Sequence, residues 1–243
     1  MPPKTILITG ANRGIGLALT KAFAKRDYQV FATCRYPDEA DNLNEMANKL
    51  PNVVVKRLDV TDQASIRSLA DVLKETPLDI LLNNAGLLNG SNDCVTAEAG
   101  DPSQLLENIK AEAFLKILQT NTVAPLMITQ AFLPHLRKGK CKCIVMMSSR
   151  WGSIELMDES IPLCYGTSKA ALNAVTKNIS CALAGEGFIT VALNPGSVAT
   201  DMGGQGADWT PDECAQRLLP IIEGLTPGKN GTFIRHTGEF IPW

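Results

Sequence analysis

The 243-residue chain is 45% hydrophobic and 20% charged, and its 23 basic and 25 acidic side chains leave a formal charge of −2. This length allows one α/β domain or two small ones with a sizeable core, the apolar content excludes a disordered chain, and no apolar run approaches the roughly 20 residues that span a bilayer. Neutralising many phosphates takes clustered excess Lys and Arg, so neither nucleic acid nor membrane is an expected partner. The apolar stretch at 6–9 is too short for a signal peptide and lacks a small-residue cleavage pattern, so a soluble cytoplasmic protein is expected. Seven cysteines without a CxxC pair, and only His135 and His236 beside them, read as reduced packing thiols with no metal site.

Short β-rich runs at 6–9, 30–34, 53–58, 80–82, 143–148 and 188–193 alternate with amphipathic stretches at 15–26, 38–50, 62–75, 111–136 and 164–184. Strands joined through helices make right-handed crossovers and a parallel sheet buried on both faces. The expected architecture is α/β: a single-domain, Rossmann-type doubly wound parallel sheet with helices on both faces, spanning 1–243. The rhythm breaks near 87–104 and 201–219, and the segment 150–161 follows the fifth strand. These are expected to be substrate loops over the carboxyl edge of the sheet, with plain surface loops as the alternative.

The first strand runs through Thr9 into Gly10, Ala11, Asn12, Arg13, Gly14, Ile15 and Gly16, and a helix begins there. Glycines permit the tight turn and let backbone N–H groups approach a pyrophosphate at the positive end of the helix. The spacing is GxxxGxG rather than GxGxxG, so its place between the first strand and first helix carries the assignment. At the end of the second strand, where an acid would accept from a ribose 2′-OH, the chain has Thr33, Cys34 and Arg35. Arg35 offers a fork of donors to a 2′-phosphate and Arg13 approaches from the glycine turn, so NADP(H) is the expected cofactor.

Farther along, Ser148 ends an apolar strand, and Tyr165 and Lys169 stand four apart, on one face of a helix. Carbonyl reduction requires a proton donor at the oxygen, and a phenol with a nearby ammonium can serve. Ser148, with Ser149 as its competitor, is expected to polarise the carbonyl. Asn121 lies in the long fourth helical stretch, and Pro125 four positions on has no N–H, so the Asn121 carbonyl should lose its donor, the helix should kink, and the freed carbonyl could hold a water.

In this order the motifs resemble the short-chain dehydrogenase/reductase superfamily, whose nucleotide turn is TGxxxGxG, along essentially the whole chain. The stretches 32–35, 152–154, 165–173 and 238–243 are most similar to its carbonyl reductase/C-factor-like group. The resemblance implies Asp59 and Val60 at the adenine and Asn84, Ala85 and Gly86 at the adenosine ribose, with turn chemistry as the alternative; for Asn83 the turn role is expected, since Asn favours strand ends. It implies Tyr165 as acid/base, Lys169 tuning it and holding the nicotinamide ribose, and the Asn121 carbonyl in a proton relay. Pro195 opens a PGxVxT-like segment in which Val198 and Thr200 would contact the carboxamide or pyrophosphate. Tyr165 follows Ser148 by 17 positions, longer than is common in the family, with 155–161 as the insertion. What the resemblance implies is an NADPH-dependent reductase of a small carbonyl compound, paired as a homodimer or homotetramer. A biosynthetic ketoreductase, a C=N reductase or a dinucleotide-binding regulator are the alternatives.

Overall fold

The computed structural model describes residues 2–88, 106–158, 161–202 and 206–243. Seven strands form one sheet: β1 (Thr5–Thr9), β2 (Gln29–Cys34), β3 (Val53–Arg57), β4 (Ile80–Asn83), β5 (Cys143–Met147), β6 (Ile189–Asn194) and β7 (Thr232–Arg235). Their order is β3-β2-β1-β4-β5-β6-β7 and every pairing is parallel. The order reverses between β1 and β4, and in such sheets a ligand crevice opens outside the carboxyl ends of the strands at that point. β4, β5 and β6 are buried at every position, as strands covered on both faces must be.

The pleat divides the core in two. Ile6 and Ile8 of β1 face one side with Leu19, Phe23 and Leu218, while Leu7 faces the other with Phe132, Leu172 and Ile179. The first side is covered by α1 (Gly14–Ala24), α2 (Asp41–Lys49) and α7 (Pro211–Glu223). The second lies under α3 (Gln63–Val72), α5 (Ala124–Lys138) and α6 (Leu163–Ala182), with α4 (Ala111–Leu118) leading into α5. Phe23 and Phe132 are fully buried on opposite sides, each contributing roughly 2–3 kcal/mol of transfer free energy, so both faces need their helices.

Two elements lie outside the sequence expectation. α7 occupies part of the 201–219 segment expected as a loop, and starts at a capping box between Thr210 and Glu213 with Pro211 in its first turn. β7 has four residues, too few for a periodic signal. Its free edge is covered by the chain's return: Ile241 N–H donates to Phe233 O (2.8 Å), and Trp243 stacks on Phe233 with centroids 5.7 Å apart. The expected helix over 111–136 is interrupted by a π turn at Gln119–Val123.

At the amino edge of the sheet, opposite the crevice, buried Asp79 accepts from the backbone N–H groups of Thr5 (2.9 Å), Lys140 (2.8 Å) and Cys141 (3.2 Å). One carboxylate thereby ties the starts of β1, β4 and β5. Among the described residues no helix is long and apolar enough to cross a membrane, and no group of three or more His, Cys, Asp or Glu could hold a metal ion. The six described cysteines are free thiols, while Cys94 and most of the expected substrate loop at 87–104 lie outside the described residues.

Candidate active site

The glycine turn leaves β1 with Gly10 at φ +65° and Gly14 at φ +53°, the left-handed region that only glycine enters without strain. Gly16 is required by space: a Cβ there would sit 2.2 Å from the Gly10 carbonyl oxygen. Asn84 holds the turn, its Nδ2 donating to Thr9 O (2.9 Å) and Gly10 O (3.1 Å), while Thr9 Oγ1 accepts from Asn84 N (2.9 Å) and Ala85 N (3.0 Å). Its amide side chain is therefore committed to the turn, and Asn83, expected in a turn role, is buried with its amide near Thr129 and Met146. α1 begins with Arg13 in extended backbone, without a side-chain cap or an acid in its first turn. Its first amides and the positive end of its dipole therefore lack a cap from Arg13 and an acid within the first turn, the setting in which a phosphate binds.

A cavity of about 760 Å³ runs along this edge. Gly10, Asn12, Arg13, Gly14, Ile15 and Gly16 line it from the turn; Asn84, Ala85 and Gly86 from the end of β4; Pro195, Val198 and Thr200 from beyond β6. The last segment is held in shape by Trp209, whose carbonyl accepts from Ala199 N (2.7 Å) and whose N–H donates to Ser197 O (3.2 Å). Thr200 packs against the turn, its Cγ2 3.1 Å from where a Gly14 Cβ would stand. Arg13 forms an ion pair with Asp201 at 2.7 Å, both side chains more than half exposed.

Three expected cofactor residues lie off that wall: Arg35, Asp59 and Val60. Exposed Arg35 stacks over the Tyr36 ring at 5.3 Å just past the end of β2. The Asp59 carboxylate accepts from Thr61 N (2.9 Å) and Thr61 Oγ1 (2.7 Å), an Asx turn beyond β3. Both lie at the carboxyl end of the sheet, on the β2–β3 side of the cavity.

On the other side α6 carries Tyr165 and Lys169 into the cavity wall, both buried. Burial raises the Tyr165 phenol to about 12, opposed by the neighbouring Ser149 hydroxyl, and Trp151 meets its ring edge-to-face at 5.9 Å. Burial lowers the Lys169 ammonium to about 8. Its Nζ donates to Met147 O (2.8 Å) and lies 5.5 Å from the Tyr165 ring centroid. The influences on the Tyr165 phenol are burial, which raises it, and the Ser149 hydroxyl, which lowers it.

The structure separates the two serines, both of which line the cavity. Ser148, at 3% exposure, donates to Asn173 Oδ1 at 2.7 Å, and Asn173 in turn donates to Gly152 O at 3.0 Å. Ser149 is the one beside the Tyr165 hydroxyl. Alternation along the strand does send the two hydroxyls apart, as expected, but Ser148 still belongs to the ladder through its N–H to Leu193 O (2.8 Å) and points into the protein. Ser149 follows in extended backbone and caps the short turn at Arg150–Gly152, accepting from Trp151 N at 3.2 Å.

The reading of Asn121 also changes. Its side-chain amide is fully buried and makes three hydrogen bonds. Oδ1 accepts from Leu87 N (2.7 Å), and Nδ2 donates to Leu87 O (2.7 Å) and Ser168 Oγ (2.9 Å), joining the end of β4 to α6 next to Lys169. The helix accommodates Pro125 through the π turn, in which Ala124 N donates to Gln119 O, rather than through a simple kink. π turns of this kind recur at functional sites because they redirect side chains. A Cβ on Gly86 would lie 3.5 Å from Asn121 Oδ1 and 3.7 Å from Lys169 Nζ, so all three meet at one point.

Trp151 and Met202 line the cavity, whereas Met157 is exposed and Trp209 packs under Arg217 at 3.6 Å. Arg235 and His236 also line it; no sequence signal marked them, because β7 itself was not expected.

Residues 4–211 match the short chain dehydrogenase family model, and the chain belongs to that family. Among solved structures, the NADPH-bound carbonyl reductase from chicken fatty liver is 36% identical over 100% of both chains, with a TM-score of 0.87. The carbonyl reductase Sniffer of D. melanogaster is 32% identical over 99% of this chain and 100% of its own, with a TM-score of 0.89. The C-signal of Myxococcus xanthus is 33% identical over 178 residues, which are 73% of this chain and 100% of that protein. The carbonyl reductase and C-factor-like resemblance thus holds on both sides.

Proposed function

We propose that this chain is an NADPH-dependent reductase that converts a ketone or aldehyde to an alcohol, with Tyr165 as proton donor. The observation that carries the reading is buried Tyr165 with half-buried Ser149 and buried Lys169 beside it, at one end of a cavity whose other end is a glycine turn and a helix N-terminus. In this reading Gly10, Asn12, Gly14, Ile15 and Gly16 hold the pyrophosphate, and Arg35 with Arg13 the 2′-phosphate. Asp59 and Val60 flank the adenine, Asn84, Ala85 and Gly86 the adenosine ribose, and Pro195, Val198 and Thr200 the carboxamide. NADPH supplies the hydride when bound.

The protein's own groups supply the rest. Ser149 donates to the substrate oxygen and fixes it beside Tyr165, which delivers its proton as negative charge develops there. Lys169 contributes positive charge near the phenol and a donor for the nicotinamide ribose, and Asn121 keeps that part of α6 in register with Gly86. Burial raises the phenol and so opposes proton release, and the Ser149 hydroxyl works against that rise.

The test is NADPH oxidation by the purified protein across a panel of aldehydes, ketones, quinones and imines. Turnover of a carbonyl compound is expected, and Tyr165→Phe should lower kcat by at least about 100-fold. Imine-only turnover would shift the reading to a C=N reductase, and NADPH binding without oxidation of any member would favour a dinucleotide-binding regulator. A second measurement addresses the cofactor. Arg35→Ala should cut the preference for NADPH over NADH by about tenfold or more, since a guanidinium–phosphate pair contributes roughly 1.5–3 kcal/mol. An unchanged preference would remove Arg35 from that role.

A further inference from the structure

Arg235 stands at the end of β7, in register with Asn194 at the end of β6. The pleat puts it on the face of Phe233, which packs with Ala192, Ile241 and Leu156, while Ile234 faces the opposite core. That is the face covered by α6, which carries Tyr165, and Leu156 belongs to the segment that follows Trp151. Arg235 lines the cavity and is 38% exposed. Its Nε is buried without a hydrogen-bond partner among the described residues, and its one ion pair is a loose 3.8 Å contact with Glu239, itself 70% exposed. A guanidinium so weakly engaged, on the wall of a cavity, can accept a planar anion.

The dinucleotide cannot be that anion's source. Its phosphates belong at the glycine turn after β1, four strand spacings or about 19 Å from β7, and on the far side of Tyr165. β5, which delivers Ser149, is only two spacings, about 10 Å, from β7. The other cations on the wall are engaged elsewhere: Arg13 with Asp201, Arg150 with Asp158 at 3.3 Å, and Lys169 with the Met147 carbonyl. Burial, then Arg217 and Arg235, lower the pKa of neighbouring His236, which leaves it neutral. Asp208 is the other acid on this wall and is exposed to solvent.

We propose that Arg235 is a specificity residue that binds a carboxylate on the carbonyl substrate, whose flat apolar body rests against Trp151. The proposal rests on the reductase reading above and names its substrate class: carbonyl compounds with an acid group about a ring's length from the reacting carbon.

The matched probes are 4-carboxybenzaldehyde and its neutral methyl ester. With the wild-type chain kcat/KM should favour the acid by at least tenfold. Arg235→Gln should lower kcat/KM for the acid at least tenfold, mainly through KM, and leave the ester within twofold; Arg235→Lys should recover part of the loss. Equal use of both probes by the wild type, or an equal loss on both in Arg235→Gln, overturns the subsite. If neither aldehyde is reduced, the wider carbonyl panel decides the reductase reading. The subsite is then decided by tryptophan fluorescence titration with 4-methylbenzoate against its methyl ester. Saturation by the acid in the wild type but not in Arg235→Gln supports it, and equal binding overturns it.

Discussion

Ser149→Ala is expected to lower kcat/KM for a carbonyl substrate about 100- to 1000-fold, the usual cost of removing one preorganised donor to a developing oxyanion, while NADPH affinity stays within about twofold. Ser148→Ala should do the reverse. It strips the buried Asn173 Oδ1 of the hydroxyl 2.7 Å away, so it should cost about 1–3 kcal/mol of stability and leave the folded enzyme's turnover within a few-fold. Steady-state NADPH oxidation and a thermal melt on the two variants separate the roles. A larger rate loss in Ser148→Ala would return the donor's part to Ser148. Ser149→Ala also removes a group that opposes the burial-driven rise of the Tyr165 phenol, so the loss should appear mainly in kcat.

Why the choice between adjacent serines could not be made from the pattern is a matter of geometry. Alternation says that neighbours diverge, but not which of them faces the crevice; that depends on where the ladder ends, and Ser148 N still bonds to Leu193 O. The fold was legible because its signals are long-range and redundant. Strands such as β5 and β6, buried throughout, appear as unbroken apolar runs, and the glycine spacing marks the turn after β1. Gly16 is readable for the same reason, since the Gly10 carbonyl leaves no room for a side chain. β7 was not, because four residues carry no period, and with it Arg235 and His236 were lost to view. Pro125 marked a disturbance in the long helix, yet its outcome, a π turn with the Asn121 amide clamping Leu87 and Ser168, depends on partners 34 and 47 residues away. α7 was the one legible element overlooked: Thr210, Pro211 and Glu213 make a capping box with proline in the first turn.

Asp79→Asn should destabilise the fold by about 3 kcal/mol without changing the chemistry of the folded enzyme. Both carboxylate oxygens accept, one from Thr5 N and the other from Lys140 N and Cys141 N. An amide offers one acceptor oxygen and turns its NH2 toward a backbone N–H that then has no acceptor. For a chain of this length about 3 kcal/mol corresponds to roughly 6–12 °C in Tm. The site should be spared because all of β4 separates Asp79 from it, about 13 Å of strand. Burial pushes the carboxyl pKa up, but the hydrogen bonds from Thr5, Lys140 and Cys141 outweigh it, and the folded value lies below the ordinary one. The unfolded chain therefore takes up the proton first as pH falls. The stabilisation is fully present above about pH 4, the unfolded value, and is lost below it as pH passes through the folded pKa. The gap in Tm between wild type and Asp79→Asn should be widest near pH 7 and should narrow below about pH 4. A gap equally wide at pH 3 would mean that the carboxylate's charge is not what holds β1, β4 and β5 together.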